Sequence, residues 1–136
     1  MTPHSDPFLG TWELDPDTLD YQHGRPGRRA VYKIEPAAEG LNFILDCDDA
    51  DGKRLDIKYG GPLDGRDQPI PGTEAVLILT RYDDNNIEST LKRGGKVVDR
   101  WTREILPDGN SMRIVQHGCK PDGTAFRNTG LYRRTA

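Results

Sequence analysis

Four Asp-Gly pairs punctuate this chain: Asp51-Gly52, Asp64-Gly65, Asp108-Gly109 and Asp122-Gly123. The runs between them alternate apolar and polar residues. Together these two features constrain the fold more than any other. Asp-Gly suits the positive backbone dihedrals of tight hairpin turns. Alternation with period two is the pattern of strands buried on one face. Gly94-Gly95 and the run Tyr82-Asp83-Asp84-Asn85-Asn86 add further turn signals.

Each run presents one candidate inward face. Residues 29–35 align Ala30, Tyr32 and Ile34. Residues 41–47 align Leu41, Phe43, Leu45 and Cys47, and residues 54–59 align Leu55, Ile57 and Tyr59. Residues 86–92 give Ile87, Ser89 and Leu91. Residues 96–105 give Val97, Asp99, Trp101, Arg103 and Ile105, unless the strand faces the other way and turns Val98, Arg100 and Thr102 inward. Residues 111–117 give Met112, Ile114 and Gln116, and residues 124–134 close the series. The run 75–82 is apolar enough that its inward face stays open. No segment has a helical period. The best place for a short helical turn is 15–20, with Asp15 as cap and Pro16 first.

Hairpin after hairpin implies a meander. About eight to ten antiparallel strands are most simply completed by closure into an up-and-down barrel, which removes both edges and pairs the first strand with the last. The 136 residues suit one domain, with 1–7 as a flexible N-terminus. A sandwich without a cavity, serving as an interaction module, is the alternative arrangement.

The net charge of -3 lacks the basic bias of nucleic acid binders. No apolar run has the length of a membrane span. The opening residues show no charged n-region or apolar h-region, so the expectation is a cytoplasmic protein, monomeric or homodimeric, with Cys47 and Cys119 reduced.

Gly10-Thr11-Trp12 falls on the first strand. A glycine there permits a bend, and a tryptophan two residues on can plug one barrel end beneath Arg133 or Arg134. This Gly-x-Trp resembles the lipocalin motif within the calycin superfamily, which also holds the fatty-acid-binding proteins. From Phe8 to Arg134 the chain is similar in length and rhythm to small bacterial lipocalin-like domain proteins. The resemblance implies the up-and-down barrel of that superfamily more than any particular ligand. The lipocalin Thr-Asp-Tyr motif is absent, and residues 81–85 match it only loosely. The Arg-x-Tyr pair with which many fatty-acid-binding proteins hold a carboxylate is absent from Leu131-Tyr132-Arg133-Arg134.

Several residues are candidates for binding. Arg103 can hold an anion, with Asp99 orienting it, at a charge-burial cost that calls for a purpose. Tyr32, Tyr59, Ser89, Gln116 and Asn128 are polar members of inward faces among Phe43, Ile57, Trp101 and Ile114. They either fix a ligand's orientation or pair with one another and with bound water. His117, one position off its face, is either a base at the rim or an exposed strand residue. The loop 23–29 carries Arg25, Arg28 and Arg29, which either steer anions or are simply solvated. The acidic run 46–52 fails the calcium-loop spacing, since Ala50 stands where an oxygen ligand belongs. His4 and His23 fall in loops, and no metal or cofactor is expected. The chain is therefore expected to bind a small hydrophobic molecule. A barrel enzyme of isomerase, cyclase or dehydratase type is the alternative use of the same pocket.

Overall fold

The computed structural model describes residues 6–135. Ten strands follow one another: β1 (Gly10–Tyr21), β2 (Arg29–Pro36), β3 (Leu41–Asp48), β4 (Arg54–Gly61), β5 (Asp64–Pro69), β6 (Ala75–Asp83), β7 (Asn86–Arg93), β8 (Lys96–Ile105), β9 (Ser111–Cys119) and β10 (Ala125–Arg134). They form one antiparallel sheet in the order β4-β3-β2-β1-β10-β9-β8-β7-β6-β5. The first strand pairs with the last, Trp12 opposite Arg134. The described residues contain no second sheet, as a sandwich would require. The ring of hydrogen bonds is interrupted at one seam, between β4 and β5, which are neighbours in sequence and edges of the sheet.

Three local readings are corrected. The expected helical turn at 15–20 is strand. Asp15 does accept the Asp17 amide, as a cap would, but the Thr18 hydroxyl bridges to β10 by accepting the Leu131 amide at 2.8 Å. That bond holds the segment in a bulge between Asp15 and Asp20 instead of a helix. Asp64-Gly65 makes no hairpin turn. It opens β5, whose pairing with β6 shifts register between Asp64 and Asp67. Val97 does not face inward. Leu91 pairs with Asp99 and Lys92 with Val97, so β8 carries an extra residue there and Val97 is 58% exposed.

One barrel end is closed by Trp12, which is 0% exposed. Gly10 holds φ 131°, a conformation open to glycine and costly for other residues. The turn it makes brings the Phe8 carbonyl to the Trp12 indole N–H, which donates to it at 3.0 Å. Arg134 lies over the indole at 4.2 Å from its centroid. Its guanidinium donates to the carbonyls of Leu9, Pro7 and Gly109. Arg133 points the other way, donating to the Ser111 hydroxyl and approaching Asp15. Phe8, Ile34, Phe43, Leu79, Ile87 and Met112 pack around Trp12. At the N-terminal end of the described residues Asp6 is ion-paired to Arg81, and the Pro7 carbonyl accepts from Arg134, while residues 1–5, with His4, lie outside the described residues.

Candidate functional site

Above the packed end the inward faces part. Two cavity lobes meet at Tyr32, Leu45 and Trp101. The first, of about 450 Å³, is walled by Leu45, Ile57, Ile70, Leu77 and Leu91, with Arg103, Ser89, Tyr59 and Lys58 among its polar members. The second, of about 260 Å³, is walled by Leu14, Leu19 and Ile114. It presents Tyr21, Tyr132, Gln116 and Asn128, with Arg29, Asp48 and Asp49 at its rim.

Arg103 is the centre of the apolar lobe. It sits on the inward face of β8, opposite Ile87 and Ile114 on the flanking strands, and is 3% exposed. One terminal nitrogen donates to the Ser89 hydroxyl at 2.6 Å and the other to the Tyr59 hydroxyl. The rings of Phe43, Tyr32 and Tyr59 surround the guanidinium at 5.0, 5.6 and 5.6 Å from its carbon. Phe43 and Tyr59 stack on each other, which fixes two sides of this cage. No carboxylate among the described residues pairs with Arg103, and its Nε has no partner. Burial holds the Tyr59 hydroxyl well above its ordinary pKa, so the phenol stays neutral. The result is a desolvated cation without a counter-ion, an arrangement that costs free energy unless an anion completes it.

Asp99 does not orient Arg103. Four residues along a strand span about 13 Å, beyond the reach of one side chain to the other. Asp99 instead accepts from the Gln116 amide at 3.1 Å. Gln116 in turn accepts from Asn128, and Asn128 receives the amides of Gln22 and His23 while donating to the His23 carbonyl. Both ends of the Asn128 side chain are thereby engaged within the protein. Gln116 and Asn128 line the second lobe, but their hydrogen bonds tie β8, β9 and β10 to the loop after β1.

The remaining candidates divide by position. Tyr32 and Trp101 line both lobes and Ile114 the second. Phe43 lies beneath Arg103 as support, in neither lobe. Ile57 lines the first lobe at its edge and is 42% exposed, because β4 borders the seam. His117 faces outside beside Arg100 and Glu88. Partial burial and then the nearby Arg100 and Arg127 lower its pKa. The basic loop and the acidic turn explain each other. Arg25 pairs with Asp51, Arg28 donates to the Ala50 carbonyl, and Arg29 pairs with Asp46 and Asp48. A Cβ on Gly27 would stand 2.6 Å from the Asp48 carbonyl oxygen, so glycine permits this close docking. Cys47 and Cys119 are free thiols.

Sequence reasoning passed over Tyr132, Leu14, Leu19, Ile70 and Leu77 as lining residues. The alternation Asn128, Gly130, Tyr132 on β10 carries the signal for Tyr132. The bulge after Asp15 hides it for Leu19.

No helix of the described residues is long and apolar enough to cross a membrane. No family model matches the chain, and no curated protein does. Solved structures do match. The wild-type fluorescent protein UnaG aligns with TM-score 0.60 at 18% identity, over 94% of this chain and 97% of that one. A secretory abundant heat soluble protein from Ramazzottius varieornatus aligns with TM-score 0.61 at 10% identity, over 97% and 98%. Zebrafish ileal bile acid-binding protein, solved with cholic acid, aligns with TM-score 0.58 at 12% identity, over 95% and 99%. Ten antiparallel strands in meander order, the first paired to the last, together with these neighbours, show that this chain shares their antiparallel meander-barrel fold.

Proposed function

We propose that this protein binds a small, largely apolar molecule inside the barrel, with an anionic or oxygen-rich end at Arg103. The buried, unpaired guanidinium carries the reading: an acid group would supply the missing charge, and Tyr59 and Ser89 already hold the cation in place. The apolar walls and a first lobe of about 450 Å³ suit an amphiphile. The zebrafish neighbour's complex with cholic acid indicates that a barrel of this fold admits such an acid.

Titration of tryptophan fluorescence with a long-chain fatty acid and its matching alcohol tests the reading. The acid binds more tightly, and Arg103→Ala weakens the acid by about 30-fold or more, the scale of losing one partner of a buried charge pair. The alcohol changes little. Equal losses for both would remove the anchor, and no binding of either would remove the carrier reading.

A further inference from the structure

We propose that the ligand carries a second, uncharged oxygen, a hydroxyl or carbonyl in mid-molecule, which accepts a hydrogen bond from Tyr132 in the second lobe. This rests on the acid end occupying Arg103. The two lobes meet at Tyr32, Leu45 and Trp101, so one molecule can reach both. In the second lobe both amide side chains are already tied within the protein. Gln116 and Asn128 bond each other, Asp99 and the loop after β1. The Tyr132 hydroxyl, by contrast, has no hydrogen-bond partner among the described residues.

Its ring is fixed. Tyr132 meets Tyr32 edge-on, with centroids 5.4 Å apart at 65°. The apolar wall of its lobe is made by Leu14, Leu19, Leu45 and Ile114, which offer no acceptor. A donor held in an apolar wall is one of the few polar groups that orient a ligand. Burial raises the Tyr132 pKa, so the phenol donates and does not ionise.

Charge sets the direction of binding. At the rim of the second lobe Arg29 is already paired with Asp48 and Asp49 adds a further negative charge, so the described residues offer no free cation there, whereas Arg103 favours an anion in the first lobe. Spacing sets the position of the neutral oxygen. The Tyr32 ring lies 5.6 Å from the guanidinium carbon and 5.4 Å from the Tyr132 ring, so Tyr132 stands one aromatic ring further from the anchor. We place the oxygen accordingly further along the molecule than the acid.

Calorimetry with stearic acid, a mid-chain hydroxystearic acid and its alpha-hydroxy isomer tests the assignment. The mid-chain isomer binds about fivefold tighter than stearic acid, the value of one net hydrogen bond. The alpha-hydroxy isomer gains nothing. Tyr132→Phe erases the preference, and circular dichroism reports that the variant is folded. Tyr82→Phe, on the outer surface where Tyr82 is 65% exposed, keeps the preference. Equal binding of all three acids to the native chain would overturn the assignment and mean that water alone meets Tyr132. A preference that survives Tyr132→Phe would overturn it too. If none of the acids binds, the carrier reading itself fails.

Discussion

Two arginines in this barrel lie against aromatic rings, and their surroundings differ in kind. Arg134 covers Trp12 at the closed end and finds the carbonyls of Pro7, Leu9 and Gly109. Three backbone dipoles do there what an anion would do. Arg103, in the first lobe, has three rings around it, two hydroxyls and an unpartnered Nε. Both residues are cations on aromatic faces. One completes the structure that holds it. The other is left incomplete by its structure, and that shortfall marks the candidate site.

The largest effect expected from this contrast is at the closed end. Trp12→Ala costs about 3 to 5 kcal/mol of stability, the range for truncating a large buried aromatic. Urea unfolding measures it, and a loss below about 1 kcal/mol would show that Trp12 is no plug. Arg103→Met fills the same space without the charge. It leaves the ligand-free stability unchanged or raises it, by up to about 4 kcal/mol, as apolar replacements of buried charges do. A loss above about 2 kcal/mol would place Arg103 with Arg134 as a structural cation and erase the comparison.

The smallest effect sharpens how the closed end is fastened. Partial burial works against the Asp6 carboxylate, but the paired Arg81 outweighs it, and the folded pKa lies below the ordinary 3.8. A depressed carboxyl contributes stability that is fully present above the unfolded value and is lost as pH falls through the folded one. Stability of the native chain therefore drops, as pH falls below the ordinary carboxyl value of 3.8, more steeply than that of Asp6→Asn. Parallel pH profiles would show that the Asp6 pairing with Arg81 contributes nothing.

How far the sequence announces this molecule depends on which physical rule each residue obeys. Period two is a property of strand geometry, so it told which way Ala30, Tyr32, Ile34, Ser89 and Arg103 point. The plug followed from Gly10 and Trp12 with the first strand closed on the last. Period two does not measure distance along a strand, so it joined Asp99 to Arg103 wrongly. It also fails wherever a bulge adds a residue, which misplaced Val97 and hid Leu19. The strand β5, Asp64–Pro69, has no apolar alternation to read, because it is a polar edge. Helix-capping chemistry at Asp15 is genuine in the structure, yet Thr18 and β10 direct it into a bulge. That outcome depends on a strand more than a hundred residues away.

The pairing of β1 with β10 also governs the order in which the molecule can be completed. During synthesis Phe8 and Trp12 emerge more than a hundred residues before Arg134, which covers the indole. Local hairpins from β2 to β4 and from β6 to β9 can form as they appear. The closed end must wait, because loop closure over nearly the whole chain precedes its contacts. Until then the first strand presents an unpaired edge and an uncovered aromatic surface, the state most open to capture by another chain.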